Sequence, residues 1–308
     1  MSSRFLVVSF IVHFLKNYTI KKELGGQKVR KFGRTILIED KRNHLLRVVK
    51  IIDKKSKKNT ETELLKQESL FDFDSVSLPQ IIEYNETQEH AFLILDYKPG
   101  ITIDAYWGQL KRKERHTFLI KFLTQLCSIF EILKKQDIVH CDIKPSNIII
   151  QDKENDFEVY LIDFGLALKS TDTNRRKLLF PLGYAAPELL LNHLDLVDHR
   201  TDIFSLGILI WRLYVGHLPL THSNPSIYTN LQLTHPIPAH SRIPKETFKI
   251  LQKMSAKHSF NSPPNRMGNS QVKVKLEEGK SKRYQNISEV LESLLEVKLY
   301  LFQRISRR

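Results

Sequence analysis

The sequence predicts an α+β fold in two lobes, a small β-rich N-terminal lobe and a larger helical C-terminal lobe. Three observations carry this reading. Residues 18–95 alternate short apolar strand patterns with turns and one helical stretch. Residues 101–300 are dominated by helical periodicity, with Phe118, Phe122, Leu126, Ile129, Phe130 and Leu133 on one apolar stripe. Between them, Pro99-Gly100 ends the apolar run Ala91 to Leu95 and marks a connection over residues 96–100.

The elements follow in order. Residues 1–17 contain an apolar segment, Phe5 to Leu15, of 11 residues. It is too short to cross a bilayer as a helix. Lys16-Asn17-Tyr18 follows it in place of a small-residue cleavage site, so it is expected to pack on the small lobe or a partner. Val48-Val49-Lys50-Ile51-Ile52 reads as a β-branched strand with one lysine inside it. Such a lysine either snorkels to water or needs a partner. Glu61 and Glu68 lie on the next helical stretch, seven residues apart and so on one face. In the larger lobe, Ile203 to Val215 reads as a buried core helix interrupted by Ser205, Gly207 and Arg212. Residues 259–282 are polar and carry Pro263-Pro264, Gly268 and Gly279, which predicts a flexible insertion. Residues 301–308 read as a basic tail. There is no internal repeat.

Composition suits a folded protein of this size. The chain has 308 residues, 41% hydrophobic and 27% charged, enough for two sizeable cores. Its two cysteines, Cys127 and Cys141, give no disulfide framework and point to a reducing compartment. Cys127 falls in the apolar pattern 117–134 and is expected in the core.

The chemistry concentrates in Ile138-Val139-His140-Cys141-Asp142-Ile143-Lys144-Pro145-Ser146-Asn147-Ile148. A carboxylate, an ammonium and a carboxamide sit in a polar loop between apolar flanks. Phosphoryl transfer asks for this set: a base or orienter for the nucleophile, a cation for the phosphate and oxygen ligands for Mg²⁺. The segment resembles the catalytic loop of a protein kinase, with Cys141 where Arg is usual. Asp163-Phe164-Gly165 follows 16 residues after Asn147, behind the apolar run Val159 to Ile162. Gly183-Tyr184-Ala185-Ala186-Pro187-Glu188 comes next, then Asp202 at the head of the apolar helix pattern, and Arg283 near the end. The resemblance spans roughly residues 18–298.

That resemblance implies a bilobal protein-kinase-like fold and a role for each matched residue. Lys50 would grip the α- and β-phosphates of ATP. Its carboxylate partner would be Glu68, 18 residues on and 11 before Pro79, rather than Glu61. Residues 96–100 would be the hinge, with backbone groups of Asp96 and Lys98 holding adenine. Asp142 would accept or orient the substrate hydroxyl proton, Lys144 would neutralise the transferring phosphate, and Asn147 and Asp163 would hold Mg²⁺. Glu188 with Arg283, and Asp202, would be structural supports.

Three departures stand out. In the phosphate-covering loop, Phe32-Gly33-Arg34-Thr35 fits the end of the Gly-rich pattern, but the two earlier glycine positions fall on Lys28 and Arg30; Gly25-Gly26 lies upstream. Cys141 removes the Arg that often clamps a phosphorylated activation loop. Pro181 stands where serine/threonine kinases usually carry Thr and tyrosine kinases Pro, whereas Lys144 is of the serine/threonine type and takes part in the chemistry.

Leu78-Pro79-Gln80-Ile81-Ile82, Asp198-His199-Arg200-Thr201-Asp202 and Thr234-His235-Pro236 are similar to kinase domains of large bacterial multidomain signalling kinases. The formal charge is +14, with clusters at Lys54–Lys58, Lys111-Arg112-Lys113, Arg175-Arg176-Lys177 and Arg304–Arg308. These would attract an acidic partner or a membrane surface. No interleaved aromatics support dedicated nucleic-acid binding. The expectation is thus a cytoplasmic, ATP- and Mg²⁺-dependent protein kinase acting on Ser/Thr of a protein substrate. The alternative is a pseudokinase serving as a nucleotide-binding scaffold.

Overall fold

The computed structural model describes residues 16–24, 33–54, 59–169, 180–260 and 263–305. Several sequence expectations lie outside them: the apolar segment up to Leu15, Gly25-Gly26, Lys28, Arg30 and Phe32 of the phosphate-covering loop, and the cluster Arg175-Arg176-Lys177; the hydroxyl residues Ser170, Thr171 and Thr173, between Gly165 and Ala186, lie outside them too. The chain divides into two compact units between Pro99 and Gly100, inside the segment 96–100.

The N-terminal unit is built on a five-stranded antiparallel sheet in the order β1-β2-β3-β5-β4. Its strands are β1 (Tyr18–Glu23), β2 (Arg34–Asp40), β3 (Leu46–Asp53), β4 (Ile81–Glu86) and β5 (His90–Asp96), with helix α1 (Asn59–Glu68) between β3 and β4. The period-2 alternation of β3 sorts its side chains to two faces. Val49 and Ile51 join Tyr18, Ile36, Ile38, Phe92 and Ile94 in one core cluster. Ile52 joins Leu65 of α1 with Ala91, Leu93 and Leu95 in another. Lys50 is offset from Ile52 by two residues and so shares the face covered by α1. Gly33 enters β2 at φ +80°, where a Cβ would stand 2.2 Å from the Ile51 carbonyl oxygen; only glycine fits.

The C-terminal unit is mainly helical. A short strand β6 (Ile101–Thr102) leads into α2 (Ile103–Gln109) and α3 (Arg115–Lys135). Strands β7 (Ile138–Val139), β8 (Ile148–Lys153), β9 (Asp156–Leu161) and β10 (Leu168–Lys169) follow. Then come α4 (Pro187–Leu190), α5 (His199–Val215), α6 (Pro225–Thr234), α7 (Lys245–Met254), α8 (Asn269–Ser281) and α9 (Ile287–Ile305). All six residues of the predicted stripe on α3 are buried. Helix α3 is long and apolar enough to cross a membrane by length and composition, yet that stripe is packed into the core of this unit. Cys127 is only half-buried, because it lies beside the stripe, and it faces Ser288 at 3.8 Å.

Helix α5 runs through the middle of the unit with almost every residue buried. Its start is fixed by a capping box: Asp198 accepts the Arg200 N–H at 2.9 Å, while its own N–H donates to Thr201 Oγ1 at 3.3 Å. It ends at Gly216 in the left-handed region, φ 97°.

Two boundaries differ from the sequence reading. The segment 259–282, expected as a flexible insertion, carries helix α8. Val272 and Leu276 of α8 pack with Leu196, and Lys280 Nζ meets Asp198 at 3.0 Å. The helix buries only a sparse stripe among charged residues, so its composition reads as loop. The basic tail does not begin at 301 either, since α9 continues to Ile305. Leu299, Leu301 and Phe302 extend the apolar helical pattern across that boundary.

Candidate active site

In the N-terminal unit, the ammonium of Lys50 lies 2.5 and 2.8 Å from the two carboxylate oxygens of Glu68. The α1-covered face of β3 and the buried last residue of α1 bring them together. Of the two carboxylates weighed in the sequence, Glu68 is therefore the one that meets Lys50. Both side chains are largely buried, 13% and 4% exposed, which strengthens their attraction relative to a surface pair.

The segment 96–100 is braced within the same unit. The Asp96 N–H donates to the Gln80 carbonyl at 3.0 Å, and the Asp96 carboxylate accepts the Gln80 N–H at 2.8 Å. Lys98 Nζ contacts Asp96 at 2.8 Å and the Val76 carbonyl at 2.6 Å. The side chains of Asp96 and Lys98 thus hold the backbone in place.

In the C-terminal unit, the loop 140–147 runs from β7 to β8. Asp142 Oδ2 accepts Lys144 Nζ at 2.5 Å and Asn147 Nδ2 at 2.9 Å. Asn147 Nδ2 also donates to the Asp142 carbonyl at 2.9 Å. Asp142 Oδ1 is buried and has no hydrogen-bond partner. His140 fixes the Asp142 backbone: its Nδ1 accepts the Asp142 N–H at 3.2 Å, so its Nε2–H donates to the Ile162 carbonyl at 3.1 Å. The Ile162 N–H donates to the Asn147 carbonyl at 2.9 Å, which sets Asp163 beside the loop's end. Asp163 itself is held at φ 69°. Burial pushes the Asp142 carboxyl up to about 6; the Lys144 charge opposes this, and the negative charge of Asp163 adds to it.

Residues 18–297 match the protein kinase domain family. The chain belongs to that family. Its relatives include calcium-dependent protein kinase 5 of Plasmodium berghei, 29% identical over 66% of this chain and 36% of the relative. Myosin light chain kinase family member 4 of Mus musculus is 28% identical over 67% of this chain and 53% of its own. Calcium-dependent protein kinase 3 of Plasmodium yoelii yoelii is 27% identical over 71% of this chain and 40% of its own. The chain therefore spans between about a third and a half of the length of these relatives.

The kinase domain supports its catalytic loop from α5. Asp202 accepts the backbone N–H groups of His140 at 2.8 Å and Cys141 at 2.9 Å. Cys141 is itself 1% exposed and at φ 61°, and burial pushes its thiol well above the ordinary range. Arg283 donates to both oxygens of Glu188, at 2.6 and 3.0 Å, with each side chain 1% exposed. Thr201 Oγ1 donates to the same carboxylate at 2.8 Å, a support the sequence reading missed. Its only signal was the capping-box position three residues after Asp198.

The oxygen ligands suit Mg²⁺. Among the described residues there is no cluster of three His, Cys, Asp or Glu able to hold a metal by themselves. A carboxylate at Asp163 and a carboxamide oxygen at Asn147 are hard donors, the partial set expected for a cation held largely by phosphate oxygens and water.

Proposed function

We propose that this kinase domain transfers the γ-phosphoryl group of ATP to a serine or threonine hydroxyl of a protein. The observation that carries the reading is the asymmetry of Asp142. One carboxylate oxygen is tied to Lys144 and Asn147, while the other is buried and unpartnered. A buried acceptor left open is costly unless something fills it. A substrate hydroxyl does so, and Oδ1 takes or orients its proton as the oxygen attacks phosphorus and the bond to the β-phosphate oxygen breaks.

The remaining roles follow from chemistry. Lys144 places its positive charge beside the base, where the transferring group's charge develops. Asn147 and Asp163 would hold Mg²⁺, which when bound offsets charge on the phosphate oxygens. Lys50, oriented by Glu68, would bind the α- and β-phosphates. Since the Asp96 N–H is committed to Gln80, adenine would be met by the Asp96 carbonyl and the Lys98 N–H. The serine/threonine preference rests on Lys144 and on relatives named as calcium-dependent and myosin light chain kinases. A scaffold without transfer activity would have no need of this complete polar set.

The test is incubation of the purified chain with labelled ATP, Mg²⁺ and a peptide library. Asp142→Asn and Asp163→Asn should each lower transfer on the order of 10²-fold or more. Wild-type transfer no greater than that of either variant would sink the enzyme reading.

A further inference from the structure

A cavity of about 490 Å³ in the C-terminal unit is not used by the roles above. It is lined by Asp104 and Trp107 of α2, Arg115 at the start of α3, Arg212 and Tyr214 of α5, and Arg242. Three guanidinium groups thus face one carboxylate, and Arg is the side chain suited to gripping carboxylate or phosphoryl oxygens. The one carboxylate is already engaged: Asp104 accepts Thr102 Oγ1 at 2.6 Å and stands 3.4 Å from Arg212 Nη1. Arg242 is anchored by donation to the Val215 carbonyl at 2.8 Å.

Two side chains of the lining carry buried donors. Trp107 is 3% exposed, and its indole N–H has no hydrogen-bond partner. Arg115 Nε is likewise buried without a partner, and the guanidinium stacks 5.1 Å from the Trp107 ring centroid. The stack fixes the Arg115 guanidinium at the cavity lining, where its charge adds to those of Arg212 and Arg242. Arg115 also begins a 21-residue helix whose N-cap, Glu114, makes no side-chain cap bond. The positive end of that helix dipole adds to the field.

We infer that this cavity binds an acidic side chain of the protein substrate, a carboxylate or a phosphorylated residue. The inference rests on the kinase reading and names a substrate class for it. Helix α2, which carries Asp104 and Trp107, packs against the Pro145–Asn147 turn of the catalytic loop. Tyr184, three residues before Pro187, lies within electrostatic reach of Arg212 and Asp104. Helix α2 thus joins the cavity to the loop that carries Asp142, and the net positive charge there selects acidic neighbours of the accepting residue over basic ones.

Binding to the full chain without ATP tests this, followed by tryptophan fluorescence at low salt. Three short peptides differ only in carrying glutamate, phosphoserine or glutamine at alternate positions. The glutamate or the phosphoserine peptide should bind about tenfold tighter than the glutamine peptide. Whichever of the two is tighter identifies the source of the anion. The double variant Arg115→Gln/Arg242→Gln should erase the preference while leaving ATP binding unchanged, which also reports that it folds. Should that variant not fold, Arg242→Gln alone, at an exposed position, should reduce the preference. Equal binding of all three peptides by the wild type, or a preference that survives the folded variants, overturns the inference. So does arginine-dependent binding of phosphatidylserine vesicles without peptide discrimination. Because the peptide-binding measurements contain no ATP, active phosphotransfer without peptide discrimination rejects only this inference. Peptide discrimination without phosphotransfer rejects only the catalytic reading.

Discussion

Lys50 and Glu68 meet at 2.5 and 2.8 Å across 18 residues of sequence, and the pleat of β3 is what brings them together. Glu68 lies 3% exposed at the end of α1. Its carboxylate orients the ammonium rather than merely neutralising it, because both oxygens are engaged.

From that pair comes the first prediction. Lys50→Met should lower kcat/KM on the order of 10²-fold by removing the proposed phosphate contact. Glu68→Gln keeps the shape but removes the orienting charge, and should cost about tenfold. Thermal melts should show both variants folded. Full activity in Lys50→Met would reject the assigned role.

The second prediction is a pH profile. With the Asp142 carboxyl pushed up to about 6 by burial, the proposed base is protonated and inactive below that pH. The sign is therefore that kcat/KM rises with pH through about 6 and levels off above it. Lys144 pulls the Asp142 value down, so the residual activity of Lys144→Gln should show its acidic limb at higher pH. A limb that stays put or moves to lower pH would contradict the geometry of Asp142 beside Lys144.

Much of this was legible in the sequence because chemistry and pattern coincided. Lys50 inside Val-Val-Lys-Ile-Ile announces a strand that needs a partner for its charge, and Asp142, Lys144 and Asn147 are spaced to share one loop. The Glu188–Arg283 pair and the bracing by Asp202 were also readable, through the order of the motifs. What escaped reading depended on partners distant in sequence. Helix α8 buries little more than Val272, Leu276, Gly279 and Lys280, too thin a stripe to register against its lysines and glutamates. The arginine cavity draws Arg115, Arg212 and Arg242 from three separated stretches, and no local pattern connects them.

The third prediction concerns regulation. With Cys141 in place of Arg, a phosphate on Ser170, Thr171 or Thr173 has no guanidinium at position 141 to pair with. The loop is instead fastened from α5, where the Cys141 N–H donates to Asp202 at 2.9 Å. Phosphatase treatment should therefore leave most activity intact. Large loss on dephosphorylation, restored by rephosphorylating those residues, would refute it.

The fourth prediction tests the buried pair Glu188–Arg283. Burial alone would raise the Glu188 carboxyl, but the Arg283 charge and its hydrogen bonds hold it below the ordinary value of 4.5. In the wild type the pair's contribution is present above that unfolded value and is lost as pH falls through the lower folded one. Arg283→Ala leaves the carboxylate buried without its cation, which should cost roughly 3–5 kcal/mol at pH 7. In that variant burial favours the protonated acid, so the penalty should shrink as pH falls toward the carboxyl's ordinary range. Urea unfolding of wild type and variant at neutral and acidic pH gives the difference directly. A loss below about 1 kcal/mol would place the pair among surface-like contacts. A loss independent of pH would mean that Arg283 acts through packing on Phe204, 4.8 Å from its guanidinium, and not through charge.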